Sequence, residues 1–348
     1  MNGLGEALIT VRKARGLTQE QLAAAAGVTQ AALSRYENDQ REPDADVLSA
    51  LANVLGVTTD FLGGAGRSEG AMAIDAHMRR HATAKPTVWR QLEARLNMYR
   101  MHARYLFEEV SLVVEQRIPT FDPIDVDPVA AARLVRMQWR VPVGPVRHLT
   151  QWMEAAGCLI IEEDFGTSRV DGLSQWIGDY PVVLLNLRSP TDRRRLTIAH
   201  ELGHLVLHAT HVSPDLEQEA NLFAAEFLMP AEMIRPQLRN LTLGRLLDLK
   251  REWGVSVQAL IERAKELRLI TSAQRVNLYK TLSARGWRTR EPISDELPPE
   301  RALLPRNIGD ALIAKGFNDE QIAVKAGFAP VNYDHPFQPT RRPLRVVR

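Results

Sequence analysis

Apolar positions recur at helical spacing through the first sixty residues, in short blocks separated by capping residues and glycines. Thr18 with Gln21 predicts a capping box that opens QEQLAAAA, and Gly27 closes that helix. Thr29 caps a second helix, QAALSRYEN, after a turn of only a few residues. Pro43 and Asp44 open a further helix through Leu55, which Gly56 stops. This is the spacing of a helix-turn-helix followed by a supporting helix. Leu22, Ala26, Val28, Leu33, Leu48, Leu51 and Leu55 are its expected core.

A glycine-rich break, GGAGRSEG at 63–70, precedes an amphipathic stretch from roughly 87 to 117 whose apolar positions include Val88, Leu92, Leu96 and Met101. It ends in the proline-broken segment IPTFDPIDVDP. From Pro128 the pattern is mixed: helix to about Arg140, helix over 145–156, then the β-rich runs CLIIEE and VVLLNL. Helices are predicted over 191–208, over 214–229 before Pro230, and through 240–286. The expected fold is multidomain: an all-α helix-turn-helix domain (1–65), a helical linker and candidate dimerisation segment (66–128), an α+β domain with a small sheet packed on helices (129–292), and a small helical C-terminal extension (293–348). That extension holds ALIAKGFNDEQIAVKAGF and a basic tail, RRPLRVVR. Its KGFNDEQIAVKAGF echoes RGLTQEQLAAAAGV, a hint of a second three-helix module.

Composition narrows the class. A chain of 348 residues exceeds one ordinary core, and a hydrophobic fraction of 45% can fill two or three. No apolar run approaches the roughly 18 residues of a membrane span, and MNGLGEALITVRKARG lacks the pattern of an export signal. A single cysteine, Cys158, excludes an internal disulfide framework and fits a reducing cytoplasm, where the protein is expected. Cys158, Trp152, Trp176, Trp253 and Trp287 read as core or groove wall.

The strongest chemical signal is His200-Glu201-Leu202-Gly203-His204. On a helix, residues four apart lie nearly above one another, so both imidazoles can reach one ion while Glu201 stands beside it to activate water. Leu196, Ile198, Ala199, Leu202, Leu205 and Val206 around the motif predict a buried helix, and buried histidines need partners. A zinc ion serves all three. The third ligand comes from among His208, His211, Glu217, Glu219 and Glu226. A metzincin pattern would need Gly at 207 and His at 210, where this chain has Leu207 and Thr210. On the following helix Glu217 and Glu219 flank the buried stripe on opposite sides, and periodicity does not choose between them. Tyr180, Arg188 and His208 are candidates for stabilising an oxyanion, unranked by the sequence.

In the first domain the start of the second motif helix, with Thr29, Gln30, Ala31, Ser34 and Arg35, is expected to face the major groove. Gln can read adenine and Arg guanine or a phosphate, and Gln19 is a candidate phosphate contact. Acidic side chains outnumber basic ones over residues 1–62, which weakens phosphate neutralisation. The cluster Arg79, Arg80, Lys85, Arg90, Arg95, Arg100 and Arg104 offers compensation, as does a homodimer formed through 87–117.

RLTIAHELGHLVLH followed by EQEANLFAAEFLMP resembles the ImmA/IrrE family of cytosolic zinc metallopeptidases, with VDGLSQW and VVLLNL in the same style. The resemblance covers roughly 130–292. It implies His200 and His204 as ligands, Glu201 as general base and Glu219 as third ligand, with His208 in a supporting place. Residues 4–62 resemble the XRE, or phage-repressor-like, helix-turn-helix family. Together these imply a DNA-binding regulatory zinc endopeptidase acting on double-stranded DNA and on a repressor or other regulatory protein, itself included, with a role in stress response. The alternative is a transcriptional regulator or antitoxin whose peptidase-like domain senses a ligand or partner without turnover.

Overall fold

A computed structural model describes residues 3–64, 77–80, 85–107, 110, 114–178, 180–209, 214–330 and 334–340. The basic tail, Thr210, His211 and the side chains of Arg79 and Arg80 lie outside the described part.

Five helices form the first domain: α1 (Leu4–Ala14), α2 (Gln19–Ala25), α3 (Gln30–Glu37), α4 (Ala45–Leu55) and α5 (Thr59–Gly64). Thr18 and Gln21 make the reciprocal capping box, Thr29 accepts from the Ala32 amide, and Asp44 accepts from the Val47 amide. Each satisfies amide donors that the helix start leaves unpaired. Leu22, Leu33, Leu51 and Leu55 are fully buried, with Ala26, Val28 and Leu48 packed around them.

The chain continues through β1 (His77–Arg80), α6 (Pro86–Phe107), α7 (Pro128–Gln138), α8 (Leu149–Ala155), β2 (Leu159–Glu163), β3 (Val170–Ile177) and β4 (Tyr180–Asn186). The strands form one sheet in the order β1-β3-β4-β2; β2 and β4 are parallel and the other pairs antiparallel. Then follow α9 (Thr191–Leu207), α10 (Leu216–Leu228), α11 (Ala231–Ile234), α12 (Leu243–Trp253), α13 (Val257–Glu266) and α14 (Ser272–Ala284). Two last helices, α15 (Leu304–Ala314) and α16 (Asp319–Lys325), end the described fold.

Strand alternation divides the interior in two. Ile160, Val183 and Leu185 join the core around α9, α10 and α12, in which Cys158 and Trp253 are buried and Trp152, Trp176 and Trp287 are partly buried. Leu159, Ile161, Leu173, Val182 and Leu184 point the other way, into a core shared with the helix-turn-helix helices, α6 and the C-terminal helices. The DNA-facing domain and the sheet under the HELGH helix are thus packed on one another.

This packing bears on two expectations for residues 87–117. Of the apolar stripe Val88, Leu92, Leu96 and Met101, Leu92 and Leu96 are buried and Val88 and Met101 partly buried, in a core that α6 shares with α1 and the sheet of its own chain. Arg95, expected in a DNA-neutralising arm, donates to the Ala14 carbonyl and lies 3.4 Å from Glu163.

The C-terminal echo is realised as two helices, with Asn318 and Gln321 repeating the capping box of Thr18 and Gln21. They dock back on the first domain. The Thr58 amide donates to Gly327 O at 3.0 Å, the Ala329 amide to Gly56 O at 3.1 Å, and the His102 ring is stacked between Phe61 and Phe328 at centroid distances of 4.2 and 3.8 Å. Burial pushes His102 down to about 3, so it packs as a neutral ring. Phe328→Ala is expected to cost about 3–5 kcal/mol, the range for truncating a buried aromatic. Denaturant unfolding followed by α1–α5 signals checks this, and an unchanged midpoint would mean that the C-terminal helices do not support the first domain.

Candidate metal centre and nucleic-acid interface

The HELGH helix, α9, is buried along nearly its whole length between β3 and α10. Charges fasten its first turns: Lys250 Nζ lies 2.8 Å from Glu291 and also binds Asp192, and Arg195 binds Glu300. Gly203, inside the motif, allows α10 to close on α9, because a Cβ there would lie 3.1 Å from Ala220 Cα.

That close approach brings three donors together. His200 Nε2 and His204 Nε2 are 3.0 Å apart, and the Glu217 carboxylate lies 3.5 Å from the first and 3.4 Å from the second. Donors about 2.0–2.1 Å from a tetrahedral zinc ion stand about 3.3 Å from one another, and the two imidazole nitrogens and the Glu217 carboxylate lie near that spacing, with Oε2 toward His200 and Oε1 toward His204. Burial by itself would push the Glu217 carboxyl up; hydrogen bonds and charge from His200 and His204 outweigh it and hold the group at about 2.

The carboxylate facing the imidazoles is therefore that of Glu217, where the resemblance implied Glu219. Glu219 sits elsewhere: its Oε2 is 2.7 Å from His208 Nε2, and His208 Nδ1 is 3.0 Å from His204 Nδ1. Glu226 is held by Arg133, Arg263 and the Ala231 amide. Asn221, four residues after Glu217 on the same helix face, places Oδ1 at 3.1 Å from His200 Nδ1. For Nε2 to ligate, Nδ1 must carry the proton; His200 then donates to Asn221, and His204 donates to His208, which donates to Glu219. Each imidazole is oriented from behind.

Glu201, the residue after His200 on α9, is fully buried, and its Oε2 accepts from Ser174 Oγ on β3 at 2.6 Å. Sequence reading did not single out Ser174 or Asn221. Asn221 left a signal, its four-residue spacing from Glu217; Ser174 arrives from a distant strand, inside VDGLSQW, where nothing local marks it as a partner of Glu201. Of the oxyanion candidates, Tyr180 packs on Phe107 and Arg188 is paired with Asp164. Next to the centre, a groove of about 960 Å³ runs past Arg193, Gln218, Asn221, Tyr279 and Arg288.

At the other end of the molecule, Thr29, Gln30, Ala31 and Arg35 are exposed and Ser34 is half-buried. A hydrogen-bonded chain holds Gln30: its Nε2 donates to Gln19 Oε1, Gln19 Nε2 donates to Glu37, and Glu37 is clamped by Arg12 at 2.5 Å. The Gln19 amide thus positions Gln30 from behind. Replacing Gln30 or Arg35 by alanine is expected to cost roughly 1–3 kcal/mol of specific operator binding each. Footprinting at fixed salt checks this, and an unchanged footprint in both variants would move recognition off α3.

These features define a helix-turn-helix transcription-factor domain joined to a metallopeptidase-type domain. Residues 8–62 match the helix-turn-helix family model and residues 153–265 the model described as IrrE N-terminal-like domain, a peptidase family. The chain therefore carries both. Over the first domain it is 41% identical across 58 residues to the SPbeta prophage-derived uncharacterized HTH-type transcriptional regulator YonR of Bacillus subtilis, covering 17% of this chain and 54% of that protein. It is likewise 41% identical across 59 residues to the HTH-type transcriptional regulator ImmR of the same species, covering 17% and 46%. The chain spans about half the length of the curated relatives it matches. No helix among the described residues is long and apolar enough to cross a membrane.

Proposed function

We propose that this protein is a DNA-binding regulatory zinc metallopeptidase that hydrolyses specific bonds in a repressor or another regulatory protein, itself included. The observation that carries the reading is the meeting of His200, His204 and Glu217 at 3.0–3.5 Å, with the buried Glu201 following His200 on the same helix. Zinc held there supplies Lewis acidity toward the scissile carbonyl and toward water. The remaining work belongs to the chain. Glu201 takes the proton of the attacking water and passes it to the departing amine, and Ser174 keeps its carboxylate aimed. Asn221 and the His208–Glu219 pair hold the two imidazoles in the ligating tautomer.

A purely structural zinc site takes four protein ligands and has no use for a carboxylate base, so three donors with Glu201 alongside favour turnover over metal storage. The packing of the first domain on the other face of the same sheet gives a physical route by which events at the two sites can be linked. Measuring zinc content, fragment formation and reporter induction together tests the reading. Normal induction with no fragment from any bound protein would leave a metal-bearing transcription factor.

A further inference from the structure

Strand β1 comes from the stretch between the helix-turn-helix domain and α6, yet it is the outermost strand of the peptidase sheet. It runs antiparallel to β3, pairing His77 with Ser174, Met78 with Leu173 and Arg80 with Val170. Two steps along β1 are matched by three along β3 between the last two pairs, so an extra β3 residue falls at 171–172. That is where β3 presses on the HELGH helix: a Cβ on Gly172 would lie 2.7 Å from Thr197 Cγ2 and 3.4 Å from Glu201 Oε1. Ser174, opposite His77, is the residue whose hydroxyl binds Glu201. The β1 backbone thus runs about 5 Å, one strand spacing, from the strand that aims the general base. It also packs against α9.

A sheet edge in this position is a template for an extended polypeptide, bound through main-chain hydrogen bonds. We propose that residues 77–80 are an in-cis occupant of the β3 edge, which an incoming extended segment must displace before it can pair there. The ligand class is an extended peptide running antiparallel to β3. Its meaning as a substrate site rests on the peptidase reading above; the strand exchange itself does not. Four residues provide few ladder bonds, so β1 is a weak occupant, but a tethered one competes at an effective concentration of about a millimolar.

The test uses a fluorescent peptide with the sequence of residues 74–83, IDAHMRRHAT. It is titrated into two full-length proteins, one natural and one with residues 74–83 replaced by an equal length of Gly and Ser, each carrying Glu201→Gln to prevent cleavage. The replaced protein is expected to bind at least about tenfold more tightly, because the competing tethered copy is gone. A peptide with proline at the positions of Met78 and Arg80 should lose that binding, since proline cannot donate to the ladder. Hydrogen exchange gives a second readout: β3 amides should exchange faster in the replaced protein and be protected again by the peptide. Equal affinity for both proteins, or no binding to the replaced one, overturns the proposal. Neither outcome involves turnover, so failure here leaves the peptidase reading intact, and failure of that reading leaves this result standing.

Discussion

Glu201→Gln is expected to lower hydrolysis by about 10²–10⁴-fold, the usual contribution of a positioned general base, while zinc content, unfolding midpoint and operator affinity stay unchanged. The amide oxygen of glutamine can still accept from Ser174 Oγ, and the volume is conserved, so the buried side chain keeps its place. Only the capacity to take a proton is removed. If fragment formation is the output, induction of the controlled genes should fail in this variant and repression should become permanent. Wild-type rates of fragment formation by Glu201→Gln would sink the catalytic assignment. Normal induction without fragments in either protein would instead make the domain a sensor.

The second large effect concerns the metal. His200→Ala and His204→Ala should each yield protein with little zinc after dialysis, because two remaining donors do not retain the ion against water. Two carboxylate variants then separate the geometry seen here from the assignment implied by resemblance. Glu217→Ala removes a donor and should behave like the histidine variants. Glu219→Ala removes the acceptor behind His208 and should weaken zinc affinity by about 10–100-fold, the range for outer partners of ligating histidines. Competitive titration with a chelating dye measures both. If Glu219→Ala loses the metal and Glu217→Ala keeps it, the third ligand is Glu219 and the α9–α10 geometry described here is wrong.

Much of this protein is local in origin, and local features are the ones a sequence states openly. Thr18, Thr29 and Asp44 announce helix starts because capping is a contact across three residues. His200 and His204 share a face because a helix turns every 3.6 residues, and CLIIEE and VVLLNL read as strands from runs of branched side chains buried on both faces. The helix-turn-helix, the HELGH helix and the existence of a small sheet followed from such short-range rules.

The rest depended on which elements meet. Strand β3 was not read as a strand because Gly172 and Ser174 break the apolar run on one of its faces, and that face makes sense only once Glu201 lies against it. The amphipathic helix α6 showed an apolar stripe but no label saying whether its partner was a second chain or its own α1 and sheet. The C-terminal echo did not reveal that it would close over Phe61 and His102. Glu217 and Glu219 flank one stripe symmetrically in sequence. What separates them is the crossing of α10 over Gly203, which turns Glu217 toward both imidazoles and leaves Glu219 to His208. Helical periodicity fixes the faces of one element, whereas a ligand set is a distance between two elements, and that distance is set by the packing of side chains far apart in the chain.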